Sequence, residues 1–256
     1  MTQPPDYSIV IPAWNEEAFL PRTLERLQGA MHTLERPGEI VVADNASTDA
    51  TAAIARRAGA RVVHEPHRQI SRARNAGAAA AAGALLIFLD ADTLVEGPLL
   101  RETLRLADSG SCCGGGAQLR PDSQTPAAVV RLIHRWNSLS RLLGWAAGCY
   151  LFCSKRAWQD IGGFSEKVYA GEEIWMSRAL HRWGRRRGMR FVIIAEDGPM
   201  TSARKAQWFS PWQLGWRVAA ILLFPFITRY RRFCDLWYRR PPAPGASSAA
   251  PDQILK

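Results

Sequence analysis

Two carboxylates, Asp90 and Asp92, flank Ala91 directly behind the apolar run Ile87, Phe88, Leu89. Side chains that leave a buried strand into one loop offer hard oxygen ligands. Such ligands suit Mg²⁺ or Mn²⁺, which can bridge protein carboxylates to a diphosphate. The same residues also fit a loop in which Asp90 caps the following turn and Asp92 is solvated. A second polar pair, Asp44 and Asn45, follows the apolar run 40–43, the usual place for ribose or base recognition in a βαβ unit. An Asx turn with a helix N-cap from Ser47, Thr48 or Asp49 explains the same pattern. Both readings hold together if Asp44 is functional and Asp49 or Thr48 caps. A third pair, Glu172 and Glu173, opens the apolar pattern Ile174, Met176, Ala179, Leu180, where acids favour a helix N-terminal dipole. That dipole accounts for one of the two more easily than for both.

Other chemistries are excluded or weakened. No GxGxxG follows the first strand and no GxxxxGK[ST] occurs, which argues against dinucleotide oxidoreductases and P-loop enzymes. His32, His64, His67, His134 and His181 are scattered and read as surface or packed residues. The five cysteines, Cys112, Cys113, Cys149, Cys153 and Cys234, lack CxxC pairs and disulfide density, so they read as buried thiols of a chain in a reducing cytosol. Arg178, Arg182, Arg185, Arg186, Arg187 and Arg190 form an acid-free run that is a solvated basic face first and an anion site second.

These residues need a scaffold, and the chain is long enough to supply one. At 256 residues it is one large domain, or one domain with an appendage. Hydrophobic residues make up 47% and charged residues 22%, which excludes a wholly disordered or low-complexity chain. The net charge of +10 draws anions: nucleic acid, anionic lipid or phosphorylated small molecules. The polar N-terminus and the short apolar run behind it do not make a signal peptide.

Strand patterns at 7–11, 40–43, 61–64 and 84–89 alternate with helical patterns at 16–27, 48–58 and 70–81. Pro12 is expected to end the first strand, and Phe19, Leu20, Leu24 and Leu27 to form the buried face of the first helix. The run 84–89 lacks polar alternation and must be covered on both faces. This predicts an α/β fold with a mostly parallel sheet flanked by helices, and it brings the loops 12–17, 44–49 and 90–92 to one edge. A helix at 97–108, a glycine-rich stretch at 114–116, a helix at 127–143 and a strand near 149–153 should build the pocket for a second substrate.

Taken in order, the segments SIVIPAWNEE (8–17), VADNASTD (42–49), ISRARNAG (70–77) and FLDADT (88–93) resemble the family 2 glycosyltransferases, nucleotide-sugar-dependent enzymes with the GT-A fold. The likeness covers residues 7–205. GGFSE (162–166) and AGEEI (170–174) look like the acceptor-side segment and the acidic pair, here Glu-Glu where the family commonly has Glu-Asp. The resemblance implies that Pro12, Ala13, Asn15, Glu16, Asp44 and Asn45 hold the nucleoside. It sets Arg72, Arg74 and Asn75 near base or phosphates, Asp90 and Ala91 at the donor, and Asp90 with Asp92 on Mg²⁺ or Mn²⁺. It further implies an inverting transfer with Glu173, or secondly Glu172, as general base. TSARK (201–205) resembles a segment that closes over donor phosphates, which sets Arg204 and Lys205 there. No histidine matches a third metal ligand.

From 207 to 240, tryptophan and phenylalanine mix with arginine, and 241–256 is a Pro, Ala and Ser tail expected to be disordered. The uncharged stretch 218–228 has 11 residues and a proline, below the ~20 needed to span a bilayer. An interfacial amphipathic helix on anionic lipid fits it. A helix packed on the catalytic core or at a homodimer interface is the alternative. The expected organisation is a GT-A domain at 1–206, this segment at 207–240, and the tail. The expected protein transfers a sugar from a UDP- or GDP-sugar to a glycan, small-molecule or lipid-linked hydroxyl, or to a polyprenyl phosphate. It sits in the cytoplasm, peripherally on the inner membrane face, in cell-envelope polysaccharide assembly, with no nucleic-acid partner. The competing reading is a non-catalytic basic module that binds nucleic acid or membranes. It leaves carboxylates at three strand ends unexplained.

Overall fold

The computed structural model describes residues 4–121, 125–201, 225–234 and 238. Seven strands form one sheet: β1 (Tyr7–Ala13), β2 (Gly38–Asp44), β3 (Arg61–His64), β4 (Leu85–Leu89), β6 (Cys112–Ala117), β7 (Tyr150–Ser154) and β8 (Arg190–Ile194). Their spatial order is β3-β2-β1-β4-β7-β6-β8, with β7 antiparallel to both neighbours and every other pairing parallel. Two short strands, β5 (Thr93–Leu94) and β9 (Met200–Thr201), pair separately. The helices are α1 (Leu20–His32), α2 (Thr51–Arg57), α3 (Ile70–Ala80), α4 (Gly97–Asp108), α5 (Ala127–Leu143), α6 (Lys155–Ile161) and α7 (Glu172–Arg185).

Continuous burial of β1 and β4 follows from helices on both faces of the sheet. Successive strand side chains point to opposite faces. Ile9, Ile11, Val42, Ile87 and Leu89 therefore enter one core with Leu24, Leu27, Leu99 and Leu100 of α1 and α4. Val10, Val41, Leu86 and Phe88 enter the other with Ala78 of α3, Ala157 of α6, and Met176 and Leu180 of α7. The α3 helix can lie close to β1 because residue 77 is glycine. A Cβ there would stand 2.5 Å from Val10 Cγ1.

The sequence expectations change in four places. Pro12 lies inside β1, not at its end. Pairing to β4 stops at Val10, so beyond it the strand has only β2 beside it, a position that tolerates a residue without an N–H. Phe19 precedes α1 and is exposed, because the helix begins at Leu20 and not at residue 16. The α2 helix begins at Thr51, after Ala50, which caps it without a side-chain bond. The glycine-rich stretch is the buried strand β6: a Cβ on Gly115 would collide with the Val192 carbonyl and stand 2.7 Å from the Phe152 ring.

Candidate active site

The β1 and β2 loops are clasped by side chains. Asn15, held at a left-handed φ of 51°, donates from its backbone N to Ser47 Oγ at 3.0 Å and accepts at Oδ1 from Thr48 N at 2.8 Å. Its Nδ2 donates to Thr48 Oγ1 at 3.2 Å. Glu16 is buried, and its backbone N reaches Thr51 Oγ1 at 2.7 Å. Asp49 Oδ1 accepts from the Thr51 N and Oγ1, so it serves the start of α2, while Thr48 is taken by Asn15. Burial raises the Asp49 carboxyl, yet hydrogen bonds from Thr51 and from the backbone N of Glu17 outweigh it and leave its pKa lowered.

Asp44 ends β2 in a buried position; its Oδ1 accepts from Ser47 N at 3.2 Å and its Oδ2 faces His64 Nδ1 at 3.3 Å. The Asx-turn arrangement is thus present. Asn45 Nδ2 donates to the Glu65 carbonyl at 3.1 Å and to that of His67 at 2.5 Å, which ties β2 to the segment between β3 and α3. Pro12 and Ala13 line the end of β1, both buried.

Asp90 and Asp92 leave β4 through a turn in which Thr93 N reaches the Asp90 carbonyl at 3.1 Å, and both aspartates are partly exposed. Ala91 is buried between them, its carbonyl held by Thr23 Oγ1 at 2.8 Å. Among the described residues no group of three or more His, Cys, Asp or Glu could hold a metal ion. Two carboxylates with further oxygen ligands from water or a bound anion match what Mg²⁺ or Mn²⁺ needs, so this donor set fits a hard cation.

The centre of the site is Arg74, 1% exposed. Its Nη1 donates to Glu172 Oε1 at 2.6 Å, and its Nη2 to Asp90 Oδ1 at 3.0 Å and to the Gly148 carbonyl at 2.6 Å. The Phe164 ring lies 5.3 Å from the guanidinium carbon. Gly171, at φ 72°, turns the chain so that Glu172 and Glu173 open α7, where the dipole favours them. Glu172 is buried against Arg74. The Glu173 carboxyl lies across from Gly148, where an added Cβ would be 3.5 Å from its Cδ. Burial pushes the Glu173 carboxyl up to about 8, reinforced by the neighbouring Glu172 charge and opposed by Arg74.

The site therefore gathers Arg74, Asp90, Glu172 and Glu173, but it does not gather Arg72 or Asn75. Two positions along a helix turn a side chain to another face, so Arg72 pairs with Glu166 at 3.1 Å on the outer side of α3. Arg72 and Asn75 line an open groove of about 550 Å³ with Trp158 and Gly163. Asn75 holds both backbone groups of Phe164 at 2.9 Å, which fixes the GGFSE segment and seats Phe164 against Phe88 and beside Arg74. All six arginines of the basic run from 178 to 190 are exposed.

Two participants escape the sequence. The 144–149 segment supplies the Gly148 carbonyl. Arg68 stacks over Trp14 at 3.6 Å. Described residues of the C-terminal segment, for which packing on the core is one of the two expectations, also meet the body: the Thr228 carbonyl accepts from Tyr169 N at 2.6 Å and Tyr238 Oη accepts from Ile70 N at 3.4 Å. Burial raises the Tyr238 hydroxyl, and the Glu172 charge adds to it. The sequence carries no signal for the Gly148 carbonyl or the Arg68 stack, whereas Arg74 lies on the core-facing side of α3 with Ala73, Gly77 and Ala78. Arg204, Lys205, the stretch 207–224 and the tail 241–256 lie outside the described residues.

Residues 8–151 match the family described as Glycosyl transferase family 2. An uncharacterized glycosyltransferase of Mycobacterium tuberculosis is 35% identical over 104 residues, 41% of this chain and 44% of that protein. The undecaprenyl-phosphate 4-deoxy-4-formamido-L-arabinose transferase of Klebsiella pneumoniae is 34% identical over 170 residues, 62% of this chain and 51% of that protein. The chain thus spans about half the length or less of these relatives. In fold it is similar to the mannosyltransferase of Pyrobaculum calidifontis in complex with GDP-Man and Mn²⁺, with TM-score 0.63 and 19% identity over 95% of this chain and 67% of that one. It is also similar to the glucosyl-3-phosphoglycerate synthase of Mycobacterium tuberculosis in complex with Mn²⁺, UDP and glucosyl-3-phosphoglycerate, with TM-score 0.60 and 18% identity over 88% and 80%.

Proposed function

The chain belongs to glycosyl transferase family 2, and on that premise we propose that it is an inverting transferase that moves a sugar from a UDP- or GDP-sugar to an acceptor hydroxyl. Residues 1–206 form the catalytic domain in this reading. The observation that carries it is the pairing of a neutralised acid with an elevated one. Arg74 pairs with Glu172 and Asp90, while Glu173 stands beside them with its pKa pushed up to about 8.

A base matched to neutral pH is what proton removal from a hydroxyl requires, because it both ionises under working conditions and holds a proton well. Glu173 takes the acceptor proton at its carboxylate as the acceptor oxygen attacks the anomeric carbon. Arg74 and Glu172 position it. Asp44 and the clasped loops bearing Pro12, Ala13, Asn15 and Glu16 hold the nucleoside, at the strand ends where open α/β sheets bind ligands. Asp90 and Asp92 would hold Mg²⁺ or Mn²⁺, which when bound offsets the charge on the departing diphosphate.

A polyprenyl phosphate at the cytoplasmic membrane face is the second acceptor class, favoured by the named activity of the Klebsiella relative. A phosphate nucleophile is already anionic and needs no base, so one substitution separates the two. With a hydroxyl acceptor, Glu173→Gln should abolish transfer and spare nucleotide binding. Full turnover of that variant on a hydroxyl acceptor refutes the base assignment, and full turnover on a polyprenyl phosphate alone identifies the acceptor. The donor is read by calorimetric titration with UDP and GDP, each with and without Mn²⁺, and failure to bind either counts against the whole reading.

A further inference from the structure

Among the described residues the α5 helix meets the body along one side, and the opposite side is exposed. Trp136 packs on the core, Asn137 exchanges two hydrogen bonds of 2.9 Å with the Leu119 backbone, and Ser140 is its sole buried residue. Leu132, Leu142 and Leu143 are 52%, 80% and 41% exposed. Leu132, Leu139 and Leu143 are spaced seven and four apart and so share one face. Arg131 and Arg135, four apart and exposed, run along the outer border of that face. The helix carries no acidic residue.

We infer that this face of α5 docks on an anionic lipid bilayer. Leucines beside arginines, on a helix without acids, match an interface where apolar side chains enter the acyl boundary and guanidinium groups meet lipid phosphates. No helix among the described residues is long and apolar enough to cross a membrane, so α5 lies in the surface plane. Its placement gives the contact a purpose. Gly144, at φ 63°, ends the helix, Ser140 Oγ holds the Trp145 carbonyl at 2.6 Å, and the chain then reaches Gly148, whose carbonyl binds Arg74. The docked helix thus runs straight into the wall of the acid cluster. That purpose rests on the reading of a lipid-linked acceptor; the docking itself does not.

Sedimentation with vesicles tests it, using phosphatidylcholine alone and equal parts phosphatidylcholine and phosphatidylglycerol, at low and high salt. The wild-type chain should partition onto the mixed vesicles, less so in high salt, and weakly onto the neutral ones. Arg131→Gln with Arg135→Gln should lower that partition on the order of 30-fold. Leu132→Ser with Leu143→Ser should lower it by roughly tenfold or more. Both pairs are exposed, so melting temperatures should stay at the wild-type value. No partition of the wild type, partition of either double variant at wild-type strength, or variant-sensitive binding of duplex DNA in place of vesicles overturns the inference. UDP and GDP binding with Mn²⁺ is measured on the same proteins. If nucleotide binding is absent while α5-dependent vesicle binding is present, the transferase reading falls and the docking stands. If nucleotide binding is intact and vesicle binding absent, the docking falls alone.

Discussion

Arg74 and Glu172 are buried together, Nη1 2.6 Å from Oε1, with side chains 2% and 5% exposed. An ion pair so far from water stands only while both partners remain, because either alone is an uncompensated buried charge. Arg74→Met should therefore destabilise the protein by about 3–5 kcal/mol, read by denaturant unfolding. Arg74→Lys should recover little, since an ammonium cannot reproduce three directed bonds to Glu172, Asp90 and Gly148. Adding Glu172→Leu to Arg74→Met should restore part of the stability and none of the activity.

Glu173 ties rate and stability to pH in opposite directions. Its carboxyl titrates at about 8 when folded, against an ordinary value of 4.5. Between those values the folded chain binds more protons at this site than the unfolded one, so the site's contribution to stability falls as pH rises through that window. Transfer should climb with pH toward a plateau above about 8, as the base ionises. Glu173→Gln should lower the rate by on the order of 10²–10⁴-fold. The same variant should melt higher than wild type at alkaline pH, by on the order of a few kcal/mol of stability, and like it under acid conditions. A Glu173→Gln protein that melts lower at alkaline pH would sink the assignment.

Asp90 and Asp92 should each be needed for metal-dependent nucleotide binding. Asp92→Ala should lose metal-dependent UDP or GDP binding in a calorimeter. Asp90→Ala should lose that binding and also melt lower, because it removes a partner 3.0 Å from Arg74 Nη2. An Asp90→Ala protein that melts like wild type would contradict its part in holding Arg74.

Asn15 joins the β1 loop to the β2 loop through backbone and side chain, at a φ of 51° that asparagine tolerates better than alanine. Asn15→Ala should cost about 1–3 kcal/mol of stability. It should also weaken nucleotide binding more than the Thr48→Ala change, which removes only the far end of the clasp.

Gly77→Ala should destabilise by about 1–3 kcal/mol, since its methyl would press on Val10 where α3 crosses β1. Pairing it with Val10→Ala should return part of the loss in an unfolding titration, because that change removes the Cγ1 that the methyl meets.

The sequence by itself determined the architecture and the edge at which chemistry collects. Runs such as 40–43 and 84–89, each followed by a polar loop and helical spacing, specify buried strands whose ends carry Asp44 and Asp90, because periodicity and strand polarity are local properties. It also placed Glu172 and Glu173 at a helix start. It could not set the partners. Arg72 and Arg74 look alike in ISRARNAG, yet helical geometry sends one to Glu166 on the surface and the other inward to a glutamate 98 residues away. Which glutamate is neutralised, and which is left with an elevated pKa, depends on where burial and one guanidinium fall in space. Charge energies depend on distance and solvent exposure, and only the tertiary structure supplies both.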